Sequence, residues 1–141
     1  MTRTIYGEAR GEGQQGKIVV GWVVRNRAKK ARRHRAETGK NHPLLGDGSL
    51  EVACTARMQF SCWNLNEPNR KVILVKTLPD GLDDGRFLDC LSAALDVILG
   101  FEADPTCGST HHHTAAVAPA WPRGKQPVRQ IGSHRFFNDV D

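Results

Sequence analysis

Lys17-Ile18-Val19-Val20-Gly21-Trp22-Val23-Val24-Arg25-Asn26-Arg27-Ala28-Lys29-Lys30 is the stretch on which the fold turns. Val20, Val23 and Val24 stand at i, i+3 and i+4, and Val19 and Trp22 widen the apolar face until it runs nearly all round. The spacing predicts a helix over 17–33, with its first half in the core. Its second half carries Arg25, Arg27, Lys29, Lys30, Arg32, Arg33 and Arg35, and is expected to be a solvated helix end and loop.

Toward the N-terminus, residues 3–13 have weak helix propensity, because Gly7, Gly11 and Gly13 each cost roughly 1 kcal/mol relative to alanine. A helix there must be held by tertiary contacts. In the other direction, Thr38-Gly39-Lys40-Asn41-His42-Pro43 and Gly46-Asp47-Gly48 punctuate loops, and Ser49 offers an N-cap for a short helix through Ala56. A second clear helix is expected from about Arg86 to Leu99, with Asp84 near its start, Gly100 past its end and Phe87, Leu88, Leu91, Ala94, Leu95 and Ile98 on one face. After Asp104-Pro105 the pattern shortens. Ser109 to Val117 and Val128 to Phe137 bear His and aromatic residues between Pro119, Pro122, Gly124 and Pro127, and predict a small β-hairpin or irregular ribbon. The expected architecture is α+β and mostly helical, one domain over 1–141.

Composition agrees. With 141 residues, 39% hydrophobic and 25% charged, the chain is an ordinary globular unit. A domain of this length buries roughly 68–70% of its unfolded surface, so staples are optional. Cys54, Cys62, Cys90 and Cys107 match no zinc spacing; free thiols are the default, with one or two bridges as the alternative. The run Ile18 to Val24 falls far short of the ~20 residues that cross a bilayer. Charge arrives at once after Met1, with no apolar signal core, which predicts a chain made in the cytoplasm without a signal peptide. A net charge of +5 attracts anionic partners: nucleic acid, anionic lipid or bacterial wall polymer.

Three constellations carry chemistry. In Tyr6-Gly7-Glu8-Ala9-Arg10-Gly11-Glu12 a continuous helix would put Glu8 and Glu12 at i and i+4, side by side, and mutual repulsion of carboxylates is one way to hold a general acid protonated. Gly7 and Gly11 form a parallel row that lets another helix or a substrate approach closely. The bland alternative is a surface pair balanced by Arg3 and Arg10. In Gln59-Phe60-Ser61-Cys62-Trp63-Asn64, rings beside amide and hydroxyl groups suit a sugar, whose faces stack while its hydroxyls hydrogen-bond; the alternative is that Phe60 and Trp63 are core. In Thr110-His111-His112-His113-Thr114, a strand would point His111 and His113 together and His112 away. The pair could ligate zinc if His134, Cys107 or a carboxylate completed the set; more often one imidazole hydrogen-bonds in a cleft.

The first of these, followed by Gly16, the valine-rich helix and Asn26-Arg27, resembles the opening of the SleB-type cell wall hydrolases, the family of spore cortex-lytic enzymes and related phage and prophage lysins. Gln59-Phe60-Ser61-Cys62-Trp63, Asp104-Pro105-Thr106, Thr110-His111-His112-His113, Pro119-Ala120-Trp121 and Ile131-Gly132-Ser133-His134-Arg135-Phe136-Phe137 are similar to its later landmarks, in the same order. His112 stands where the family usually has an aromatic. The resemblance implies a lysozyme-like domain that cleaves the β-1,4 bond between N-acetylmuramic acid and N-acetylglucosamine, with Glu8 as catalytic acid and Glu12 positioning or tuning it. The expected substrate groove uses Tyr6, Gln59, Phe60, Trp63, Thr110, His111, His113 and Trp121, with no cofactor or metal, peptidoglycan glycan strands as partner and a monomeric chain. A phage, prophage or gene-transfer-particle lysin, acting on the periplasmic wall after release or delivery, fits better than a spore enzyme.

Glu51, Glu67, Asp104 and Asp139 all read as surface residues, so one acid stands out rather than two. A glycosidase that uses water needs a partner carboxylate roughly 5–9.5 Å away, according to its stereochemistry. A lytic transglycosylase needs only the acid, because the muramic C6 hydroxyl closes a 1,6-anhydro ring from within. Two other classes stay open: a zinc-dependent wall amidase or peptidase using His111 to His113, and a basic nucleic-acid-binding module using Arg25 to Arg35, for which no recognition motif accompanies the charge.

Overall fold

The helix α1 (Thr2–Ala9) leads by a turn into α2 (Gln14–Thr38), whose Val19, Val20, Val23, Val24, Ala28 and Ala31 are fully buried. This computed structural model describes every residue except Arg57, Arg123, Asp139 and Asp141. Around α2 stand α3 (Leu50–Thr55), α4 (Pro68–Val75), α5 (Leu78–Gly81) and α6 (Gly85–Leu99), with a 3-10 turn at Ser61–Trp63. The chain closes with β1 (His111–Thr114), β2 (Arg129–Ile131) and β3 (His134–Phe137), an antiparallel sheet in the order β1-β3-β2. The fold is α+β, as the sequence predicts.

The caps explain the helix boundaries. Ser49 accepts from the Val52 N–H at the start of α3, and Asp84 accepts from Arg86 and Phe87 at the start of α6. Gly100, at φ +80°, takes the left-handed conformation that ends α6. Two boundaries and two helices differ from expectation. The first helix stops at Ala9 rather than reaching 13, because Gly11 and Gly13 do not support another turn and Gly13 instead starts α2. α2 runs on to Thr38, so the basic stretch is helix rather than loop. α4 and α5 have no counterpart in the sequence reading: of α4 only Ile73 is buried, and α5 is four residues started by Thr77 and Pro79, so neither shows an apolar stripe.

The core joins Ile5 and Ala9 of α1, the α2 valines, Phe87, Ala93, Ala94 and Val97 of α6, and Phe136 from the sheet. Arg27 corrects the expectation of a wholly solvated basic half. Only 3% exposed, it donates to the carbonyls of Thr110 (2.6 Å) and Gln59 (2.8 Å) and lies 4.3 Å over the Phe60 ring. That one guanidinium ties α2 to both later site segments. Burial lowers its pKa to about 10, with the Glu8 carboxylate opposing the fall. All four cysteines are free; Cys54, Cys62 and Cys90 are buried and Cys107 is exposed. Among the described residues no helix is long and apolar enough to cross a membrane.

Candidate active site

Glu8 sits on the last turn of α1, where Gly7 allows unusually close packing. A Cβ at Gly7 would lie 2.6 Å from Cys62 Cβ and 2.8 Å from its Sγ, so only glycine lets the helix touch the Ser61–Trp63 turn. That contact aims two donors at one carboxylate oxygen: the Cys62 backbone N–H at 2.8 Å and Ser61 Oγ at 3.2 Å, both to Glu8 Oε1. Oε2 has no hydrogen-bond partner among the described residues. In a carboxylic acid the carbonyl oxygen accepts and the other oxygen carries the proton. Were Glu8 protonated, two donors on Oε1 would leave the proton on Oε2. Arg3 and Arg10 do not neutralise Glu8: Arg3 lies 5.7 Å over the Trp63 ring, and Arg10 donates to Asn69 at 2.7 Å.

Glu12 does not follow Glu8 on one helix, as the i, i+4 spacing suggested, but lies in the turn between α1 and α2. A Cβ at Gly16 would be 2.6 Å from Glu12 Cβ, so this glycine makes room for the folded-back side chain. Glu12 Oε1 accepts from Ser133 Oγ at 3.3 Å, which links it to the β2–β3 turn. Ser133 has a single proton. If it donates that proton to Glu12, the His134 Nδ1 at 3.4 Å must donate to Ser133. The result is a chain from His134 through Ser133 to Glu12. His134 is buried; burial lowers its pKa, while Glu12 and then Glu8 pull it back, so both carboxylates act on this imidazole. The sequence offers His134 only as a possible zinc ligand and Ser133 only as part of a landmark, because their proximity to Glu12 depends on a contact 121 residues apart.

The histidine strand alternates as expected, and the alternation separates the three rings. His112 packs inward with Phe60 (6.1 Å), His134 (5.4 Å) and Phe136, on which it stacks at 23°. The imidazole thus fills the place of an aromatic ring. Burial, then Arg27 and the other histidines, holds it neutral, and its Nδ1 is buried without a partner. His111 and His113 face the other side of the sheet beneath Trp121, at 5.4 and 5.6 Å, and His113 stacks on Phe137 at 18°. His113 Nδ1 donates to the Thr114 carbonyl at 2.8 Å. Among the described residues no three His, Cys, Asp or Glu side chains are grouped so as to hold a metal ion.

The remaining sequence-selected residues fall into two sets. Tyr6, Phe60 and Thr110 are buried. Tyr6, two positions and so about 200° around α1 from Glu8, donates to Asp84 Oδ2 at 2.7 Å and anchors the helix to α6. Trp63 is mixed: its indole N–H donates to Thr4 Oγ1 at 3.0 Å, while its ring lines a cavity of about 610 Å3 with Asn64, Leu65 and Asn66. Gln59 gives its carbonyl to Arg27, and its side-chain Oε1 is buried without a partner. Trp121 is 38% exposed over the outer sheet face, where His113 and Phe137 line a cavity of about 520 Å3. Cys62 is no nucleophile: burial and then Glu8 raise its pKa and keep it a thiol. Asp104, read as a surface residue, is half-buried and accepts from Asn26 and Thr106; Asp139 lies outside the described residues.

The family model described as Cell Wall Hydrolase matches residues 11–137. The matched span includes Glu12, Ser61, Cys62, His112 and His134 and begins three residues after Glu8. No curated protein and no solved structure matches the chain.

Proposed function

The chain belongs to the cell wall hydrolase family, and from that premise we propose that it is a muramidase of lytic transglycosylase type, cleaving the β-1,4 bond between N-acetylmuramic acid and N-acetylglucosamine with Glu8 as acid and base. The observation that carries this reading is the double donation to Glu8 Oε1, which leaves Oε2 to meet the substrate. Glu8 Oε2 gives its proton to the glycosidic oxygen as the C1–O bond breaks. The resulting carboxylate accepts the proton of the muramic C6 hydroxyl, whose oxygen bonds to C1 and closes the anhydro ring. Cys62 N–H and Ser61 Oγ–H stabilise the carboxylate between the two transfers. Because the nucleophile belongs to the substrate, the protein need only hold the sugar and one poised acid.

A hydrolytic variant is the second reading, and the Glu12–Ser133–His134 chain favours it. A carboxylate held by Ser133, acting with Glu8 on the same His134 imidazole, can hold a water as general base. Both readings keep Glu8 as the acid. The test is lysis of purified sacculi by the Glu8→Gln protein, followed by turbidity. We expect unchanged folding and a rate at least about 100-fold lower, the low end for general acid–base catalysis. Near-normal lysis by folded Glu8→Gln protein would remove Glu8 from the mechanism.

A further inference from the structure

The cavity of about 610 Å3 beside Trp63 lies between the end of α3 and the start of α4. Ser61 and Cys62, the two donors to Glu8 Oε1, directly precede Trp63, so the cavity adjoins the turn that holds the acid. Its apolar lining is held out to solvent. Leu65 is 82% exposed and Met58 is 74% exposed, and Met58 keeps a left-handed backbone (φ +63°) that residues other than glycine rarely adopt. Trp63 is anchored from α1: Thr4 Oγ1 accepts its indole N–H, and Arg3 lies 5.7 Å from the ring centroid. Two exposed aliphatic chains grouped with a fixed indole and rimmed by polar groups form a binding surface rather than core.

The polar lining is accessible and unused. Asn64 and Glu67 are half-buried and Asn66 is exposed, and none of the three side chains has a hydrogen-bond partner among the described residues. Glu67 stands at the N-cap of α4, yet its side chain accepts nothing from that helix. The two amides can donate and accept, whereas a carboxylate only accepts. Among the described residues of the lining, Glu67 carries the one charge. A phosphate, or the free carboxylates of a peptide stem, would meet that charge with no cation in the described lining to offset it. An amino sugar that bears no stem suits each part: a ring face for Trp63, hydroxyls for the amides and nitrogen-bound hydrogen for Glu67.

We propose that this cavity is a subsite for the glucosamine units of the wall glycan and that Glu67 reads their nitrogen. The sugar ring lies against Trp63, the acetyl methyl against Leu65 and Met58, and Glu67 accepts from the acetamido N–H or, where the unit has lost its acetyl group, from the ammonium group. Stem-bearing muramic acid is kept out. The choice of a wall glycan rests on the reading of the protein given above. A consequence is tolerance of deacetylated wall, because the ionic contact with Glu67 replaces the apolar contact that the acetyl group made.

The test is binding of two probes to the Glu8→Gln protein: the β-1,4-linked trisaccharide of N-acetylglucosamine and its fully deacetylated counterpart. Indole fluorescence and backbone amide NMR shifts follow it in mildly acidic buffer, where the free amines are charged. Both probes should bind saturably, with the shifts centred on residues 63–67. Glu67→Gln should weaken the deacetylated probe about three- to fivefold, the order for a solvent-facing ion pair, and the acetylated probe by less than about twofold. Leu65→Ser combined with Met58→Gly should do the reverse. Leu65 is exposed and glycine suits the left-handed backbone at 58, so folding is not at stake. Binding of neither probe, shifts confined to other segments, or an equal response of both probes to Glu67→Gln would overturn the proposal. The mass of wall fragments released by the unsubstituted enzyme separates the two readings. Anhydro-ended fragments without binding of either probe would sink this subsite and leave the muramidase standing; the expected probe binding with uncut glycan would do the opposite.

Discussion

The backbone N–H of Cys62 donates to Glu8 Oε1 at 2.8 Å because the neighbouring Gly7 has no side chain to hold the two segments apart. Gly7→Ala would place a methyl 2.6 Å from Cys62 Cβ, with the backbone of both elements fixed by packing. We expect a stability loss of about 1–3 kcal/mol, as for overpacked cores, and a loss of lysis larger than unfolding accounts for. Urea denaturation beside a sacculus-lysis assay checks it. Full activity in Gly7→Ala would show that the close approach does not position the acid.

Arg27 is the second test of how the site is held. Arg27→Ala would leave the Thr110 and Gln59 carbonyls without their shared donor and open a gap over Phe60. The expected cost exceeds about 2 kcal/mol, since each buried carbonyl left unpaired costs on the order of 1–3. Arg27→Lys should recover part of it. The denaturation midpoints of both variants give the comparison.

Much of this arrangement was legible in the sequence. The valine spacing located α2, Asp84 and Gly100 bracketed α6, and the His and aromatic segments marked the sheet, because each of these signals is local. What was not legible depends on contacts between distant segments. Nothing in Arg25 to Arg35 distinguishes the one arginine that turns inward, since its acceptors belong to Gln59 and Thr110. The Glu8–Glu12 spacing suggested a helical pair, yet Gly11 and Gly13 end the helix and bring Glu12 to Ser133 by another route. Alternation on β1 was predicted correctly, but only the packing of Phe136 shows that His112 faces inward.

Buried neutral histidines predict the acid limb of the stability curve. His111 is lowered to about 4 by burial and then by Arg27 and Lys30, and His134 is lowered chiefly by burial. Unfolded histidine titrates near 6.5, so between about pH 6.5 and 4 the unfolded chain binds more protons than the native one. Stability should therefore be flat above pH 7 and fall as pH drops through this window. Melting temperatures from pH 7.5 to 4 measure it, and His111→Asn should flatten part of the slope. A rise in stability over that range would contradict these assignments.

The Ser133 bridge separates positioning from proton transfer at Glu12. If Glu12 only tunes the site, Glu12→Gln and Ser133→Ala should each lower lysis by less than about tenfold, well short of the 100-fold floor for losing a general acid. Both side chains lie in surface turns, so stability should change little. A Glu12→Gln loss equal to that of Glu8→Gln would give Glu12 a proton-transfer role.

The most direct measurement of the central claim is the mass of the soluble fragments released from purified sacculi by the wild-type protein, with the Glu8→Gln protein as blank. Closure by the C6 hydroxyl adds no water across the bond, so the account predicts glycan fragments one water lighter than hydrolysis products, without a reducing end at muramic acid, and none from the blank. Reducing muramic ends as the main product would contradict the single-acid mechanism and make Glu12 the catalytic base, while fragments cut only at amide bonds, with glycan strands intact, would contradict the muramidase itself.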